Sequence, residues 1–170
     1  VGVEWALGMM LLASSDLGFE RSVGVDARLS NRYIQVEAGA SYEPKHNAAS
    51  GVTWAGQALL TLPVKSVYVG AGYATWGYRS EFKDGSVWEK RTGAPIVALG
   101  YRSDRTDIRA QYTLEDPTYA TSCISLDAGV RVHGAWSAVL FGQRVLHQGG
   151  AGSAYGVGIR FRGGNHNGRD

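Results

Sequence analysis

The chain has 170 residues, a formal charge of +2 and a mean hydropathy of −0.16. That length suits one domain, and so small a cationic excess argues against nucleic acid as a partner. No run of about 18 apolar residues occurs, which excludes a transmembrane helix.

Glycine supplies 24 residues, about twice ordinary usage, and aromatics 11%, with nine Tyr and five Trp. The glycines punctuate segments that alternate apolar with polar residues, a composition suited to a barrel greasy outside and polar inside. Cys123 is single, so no intramolecular disulfide can form. His46, His133, His147 and His166 are dispersed, and neither metal nor cofactor is expected. No Lys/Arg-led leader is present, as expected of an exported chain already processed. The expected barrel covers residues 1–163, with 164–170 as a flexible tail.

Period two runs through ten predicted strands. The first (Val3, Trp5, Leu7, Met9, Leu11) is apolar on both faces. The second, Phe19 to Leu29, sets Glu20, Ser22, Gly24, Asp26 and Arg28 against mainly apolar odd positions. In the third, Ile34, Val36, Ala38, Ala40 and Tyr42 alternate with Gln35, Glu37, Gly39 and Ser41. Val52, Trp54, Ala58, Leu60 and Leu62 carry the apolar face of the fourth. Val67, Val69, Ala71 and Tyr73 carry the fifth, and Pro95, Val97, Leu99 and Tyr101 the sixth. Ile108, Ala110, Tyr112 and Leu114 oppose Asp107, Arg109, Gln111 and Thr113 in the seventh. Ile124, Leu126, Ala128 and Val130 oppose Ser125, Asp127, Gly129 and Arg131 in the eighth. The ninth, Trp136 to Val145, lacks clean parity, and Gly142 suggests a bulge. Tyr155, Val157, Ile159 and Phe161 oppose Gly156, Gly158, Arg160 and Arg162 in the tenth.

The connections alternate in length. Those at Ser30–Arg32, Pro63–Ser66, Arg102–Thr106 and His133–Ala135 are short. Those at Glu43–Ser50, Arg79–Thr92, Glu115–Ser122 and Leu146–Ser153 are longer, the first (Ser14–Gly18) less clearly so. Tight turns on one rim and longer loops on the other is the asymmetry of outer-membrane barrels, and an even strand count puts both termini on the periplasmic side. Eight strands is the alternative count.

Alternation alone fits a membrane barrel or a soluble lipocalin-like ligand-binding barrel with its faces inverted. The polar face favours the membrane. Glu4, Asp26, Glu37, Asp107 and Asp127 share it with Arg28, Arg109, Arg131 and Arg160, whereas Lys45, Lys65, Lys83 and Lys90 all fall in connections. Arginine and carboxylate without lysine suits an ion-pair network in a confined lumen, because guanidinium pairs in several directions at once. Aromatics also gather near segment ends: Tyr101, Trp136 and Phe161 at one rim, and Phe19, Tyr42, Trp54, Tyr112 and Tyr155 at the other.

On these residues the chain resembles the small single-chain bacterial outer-membrane barrels, the OmpA/OmpX-like and opacity-type group, over about residues 2–162. The last strand, Tyr155-Gly156-Val157-Gly158-Ile159-Arg160-Phe161, is similar to the aromatic-ended strand of such barrels, although Phe161 is not the final residue. The resemblance implies an all-β, closed, antiparallel up-and-down transmembrane barrel in contact with outer-membrane lipid and lipopolysaccharide.

Asp84-Gly85 predicts a two-residue hairpin turn, so the fifth and sixth strands should continue outside the membrane as a ribbon. Trp76, Tyr78, Arg79, Phe82, Lys83, Trp88, Lys90 and Arg91 form its candidate binding surface for a protein partner or lipopolysaccharide; self-stabilising cross-strand pairs are the plainer alternative. Arg21 near the same rim is a candidate for lipopolysaccharide phosphate. A lipid A-modifying enzyme is the other functional alternative, with His147, Ser153 and Glu115 as its candidate residues.

Overall fold

The computed structural model describes residues 2–15, 21–46, 49–116, 120–147 and 150–164. Phe19, Glu20 and the terminal segment 165–170 lie outside them. Ten strands follow one another: β1 (Glu4–Ser15), β2 (Ser22–Ser30), β3 (Ile34–His46), β4 (Ala49–Val64), β5 (Val67–Phe82), β6 (Val87–Arg102), β7 (Thr106–Asp116), β8 (Thr121–His133), β9 (Trp136–His147) and β10 (Gly150–Gly164). Each pairs antiparallel with its neighbours in sequence, and β1 with β10 closes the ring. The count is ten, not eight. β10 runs to Gly164, which pairs with Glu4, one residue past the expected end of the barrel.

Closure leaves no sheet edge around the ring, and register decides which face is which. Leu7, Leu60 and Val97 point outward and are 56%, 70% and 47% exposed. Arg28, Asp107 and Arg160, of opposite parity, point inward and are 3%, 3% and 1% exposed. The inverted arrangement of faces expected of a lipocalin-like barrel is therefore excluded. An apolar exterior on strands hydrogen-bonded around a closed ring is the arrangement that hydrocarbon tolerates. Tyr42, Tyr112 and Tyr155 are exposed on this surface near one end, and Trp5, Tyr101 and Trp136 near the other. Phe161 joins the second belt, 5.7 Å from the Trp5 ring and 5.0 Å from that of Trp136.

Two strands defeat simple parity for identifiable reasons. β1 buries its own apolar residue inward at Ala6, so both faces look greasy. β9 points Val139 and Phe141 into the lumen and exposes Arg144 on the outside, where it pairs in register with Ile124. Gly142 is no bulge: the pairing of β9 with both neighbours runs through it. Register shifts fall instead between Glu43 and His46, Thr113 and Asp116, and Arg131 and His133.

One rim carries the start of β1, the end of β10 and the tight connections at residues 31–33, 65–66, 103–105 and 134–135; we call it the near rim. At the far rim the expected long loops are mostly strand. β3 and β4 continue until only 47–48 separate them, and β5 and β6 until only 83–86 remain. Their backbone groups are satisfied by extending the hairpins rather than by looping into solvent.

Candidate functional site

Inside the barrel, adjacent inward positions bring four carboxylates and five guanidiniums together. Arg28 on β2 is the hub: its Nη1 lies 3.2 Å from Asp107, and its Nη2 lies 3.4 Å from both Glu37 and Asp127. Arg160 donates both terminal nitrogens to the two oxygens of Asp127 at 3.1 Å and also reaches Asp26 at 3.2 Å. Arg109 pairs with Glu37 at 2.7 Å, and Gln57 donates to the same carboxylate at 3.0 Å. Gln35, with its amide oxygen turned toward the cations, accepts from Arg28 and Arg109 at 3.2 and 2.7 Å.

The network draws on β2, β3, β4, β6, β7, β8 and β10, so it pins opposite walls of the barrel together. Bidentate pairing and shared acceptors offset the cost of enclosing so many charges. Gly8 leaves the space that Asp26 fills, since a Cβ there would overlap the carboxylate. On the β4–β6 side the lumen is apolar instead: Leu59, Ala74, Ile96 and Ala98 cluster, with Trp76 packed on them.

Seven of the nine predicted lumen charges, Asp26, Arg28, Glu37, Asp107, Arg109, Asp127 and Arg160, meet in this network. Glu4 and Arg131 lie lower, lining a polar mouth at the near rim with Arg102 and Arg162. Those last two arginines are network members that the sequence reasoning missed. Arg162 donates to Asp107 at 3.2 Å, and Arg102 lies 3.8 Å from it. Both continue an inward parity: Arg102 falls in an expected connection, and Arg162 falls on the polar face of the tenth strand without being counted among the network's charges.

The second candidate lies at the far rim. β6 pairs with β7 only as far as Ile96 opposite Thr113, yet with β5 up to Val87 opposite Glu81. A ribbon therefore projects roughly 20 Å past the end of β7, at about 3.3 Å per residue. Its tip differs from the expected two-residue turn. Gly85 donates to the Phe82 carbonyl at 3.1 Å, Phe82 donates to that of Ser86 at 3.0 Å, and Gly85 has φ +82°. This is a three-residue loop, a tight turn followed by a left-handed glycine. Asp84 accepts from the Ser86 hydroxyl and amide at 2.6 and 2.9 Å, and those bonds hold its carboxyl below the usual aspartate range.

Register separates the predicted ribbon residues onto two faces. Trp76, Tyr78, Phe82, Trp88 and Lys90 share the face continuous with the lumen, and Arg79 and Arg91 take the opposite one; Lys83 sits in the turn. Tyr78 meets Trp88 edge-on with centroids 5.6 Å apart, and the Lys90 ammonium lies 4.6 Å above the Trp88 ring. On the other face Arg91 bonds Glu89 at 2.6 Å and covers Trp54 at 5.7 Å. Trp76 sits below the ribbon proper, half-buried in the lumen's apolar cluster. Of the enzyme candidates, His147 and Ser153 lie on the adjacent strands β9 and β10, whereas Glu115 is on β7, with β8 between.

No family model and no curated protein sequence matches the chain. Among solved structures it is similar to Neisserial surface protein A, at 10% identity over 94% of this chain and 96% of that one, with a TM-score of 0.48. It is also similar to the N-terminal β-barrel domain of Pseudomonas aeruginosa OprF (10% identity, 93% and 97% covered, TM-score 0.45). A third is the outer membrane protease OmpT of Escherichia coli (10% identity, 95% and 96% covered, TM-score 0.44). By its own strand order the chain is a closed, ten-stranded antiparallel barrel.

Proposed function

We propose that this chain is a bacterial outer-membrane barrel of the structural and interaction type. Its termini face the periplasm, its filled lumen keeps the wall rigid, and its β5–β6 ribbon meets a protein partner or lipopolysaccharide outside the cell. The carrying observation is the ribbon's surplus length. About ten residues per strand suffice to cross hydrocarbon, whereas β4, β5 and β6 have 16 each. The extra turns end in an exposed surface holding Trp88, Phe82, Lys83 and Lys90. Flat aromatic faces beside cations suit sugar rings and anionic groups. The charge-filled lumen supports a rigid anchor rather than a wide aqueous channel.

The ribbon's own stacking and charge pairs account for its stability, so the test must separate binding from folding. Trp88→Ala with Lys90→Ala, in protein refolded into phosphatidylcholine vesicles, should leave the urea midpoint of the barrel nearly unchanged. Its affinity for purified lipopolysaccharide should fall about tenfold, as expected for removing an aromatic anchor. Unchanged affinity, together with no cross-link from a photoreactive residue at position 88 in intact cells, would sink the reading.

A further inference from the structure

The outer wall carries a second feature that neither the lumen nor the ribbon uses. Across β2, β1, β10 and β9, on the far-rim half, a groove of about 630 Å³ opens on the exterior. Its lining includes Leu11, Ala13, Val23, Leu140 and Tyr155, with Arg21 at its far-rim end. The dent has a local cause. Ala13 stands opposite Tyr155 in the β1–β10 register, and Tyr155 stands opposite Gly142, so one large ring is flanked by two nearly bare positions. The volume lies within the range of ligand pockets.

Charge is what distinguishes this groove from an ordinary lipid-facing dimple. Arg21 is exposed and makes no ion pair among the described residues, and no described carboxylate lines the groove. Arg144, exposed on β9, stands one outward position above Gly142 on the same side of the barrel. Two arginines on the apolar exterior are costly in hydrocarbon. At the headgroup level of a phosphate-bearing leaflet they are favourable, because guanidinium binds phosphate through parallel hydrogen bonds. Arg21 and Arg144 are separated by three strand steps and two residues along β9, about 16 Å at 4.8 Å per step and 3.3 Å per residue. That spacing suits two phosphates on one disaccharide headgroup better than a single one.

We propose that this groove is a binding site for a diphosphorylated glycolipid of the outer leaflet. An acyl chain lies along Leu11, Ala13 and Leu140 beside Tyr155, and the phosphates sit on Arg21 and Arg144. The site is distinct from the ribbon and rests only on the reading of the barrel as an outer-membrane protein.

The test uses the folded protein in a zwitterionic detergent, with binding of purified diphosphoryl lipid A followed by native mass spectrometry. Phosphatidylcholine of similar chain length is the comparison probe. Insertion into phosphatidylcholine vesicles, read by resistance to urea, is measured first and reports on the membrane reading alone. Wild type should bind one lipid A in preference to phosphatidylcholine. Arg21→Ala should weaken that binding about tenfold and Arg21→Ala with Arg144→Ala further still. Ala13→Trp, which fills the groove without removing charge, should also weaken it. Equal binding of phosphatidylcholine, or wild-type affinity in both Arg21→Ala and Ala13→Trp proteins that insert normally, would overturn the proposal.

Discussion

Arg160 shows how a charge can be enclosed almost completely inside a small barrel. Its side chain is 1% exposed, and it is held by a two-bond fork to Asp127 with Asp26 alongside. Removing one partner from such a set is worse than removing both, because the survivor keeps its desolvation cost without its attraction. Arg160→Met should therefore lower stability by about 3–5 kcal/mol. Adding Asp127→Asn should recover part of the loss, since it withdraws one of the two carboxylates then left facing each other. Urea unfolding in lipid vesicles, followed by tryptophan fluorescence, measures both. A double variant less stable than the single would contradict the coupling. The charges themselves were legible from parity, but their partners were not. Arg28 meets Asp107 across 79 positions of sequence, and only the stagger of a closed ring fixes which inward residues share a level.

At the scale of strands, the glycines separate into those the packing requires and those it merely tolerates. A Cβ at Gly158 would overlap the Met9 carbonyl on the paired strand, and backbone cannot move aside as a flexible side chain can. At Gly56 the nearest atoms to such a Cβ, in Glu37 and Thr75, are 3.8 Å away, an ordinary contact. Gly158→Ala is expected to cost about 1–3 kcal/mol through overpacking, whereas Gly56→Ala should be neutral or slightly stabilising. Comparing their urea midpoints in the same vesicles tests the distinction; equal effects would contradict it.

Parity separates the two by face, Gly158 with the inward Arg160 and Gly56 with the outward Trp54 and Ala58, but which atoms a Cβ would meet depends on the register of the paired strands. The strands were legible wherever one face was uniformly apolar, as in β2, β6 and β7. β9 escaped because Val139 and Phe141 line the lumen, and the extension of β3 and β4 because the polar and small residues from Glu43 to Ser50 read as a connection while most of them lie in the two strands. The ribbon's existence followed from Asp84-Gly85 and the aromatics around it. The assignment of its residues to two faces needed the register, which places Lys90 opposite Tyr78 and Arg91 opposite Gly77.

For the whole molecule, the reversal of inside and outside has a consequence that a soluble barrel would not share. Val97 lies on the apolar exterior, five positions up β6 from the near-rim end at Arg102, close to the middle of the wall. Were this surface in water, Val97→Arg would be an exposed substitution within about 0.5 kcal/mol of neutral. In hydrocarbon the same change should cost about 2–4 kcal/mol, because the guanidinium must be dragged from the bilayer midplane toward an interface. Tyr33→Arg, in the near-rim connection at residues 31–33, should cost no more than about 1 kcal/mol, since there the new charge already sits at headgroup depth. The depth dependence carries the argument more than either value. A lumen strained by its own charges would respond alike to both variants, since neither side chain enters it, whereas a bilayer responds by depth. Urea titration of the three proteins in vesicles of one lipid composition therefore asks what solvent the exterior was built for. Equal, small costs at positions 97 and 33 would remove the membrane from the account, while a steep difference places the barrel wall across hydrocarbon.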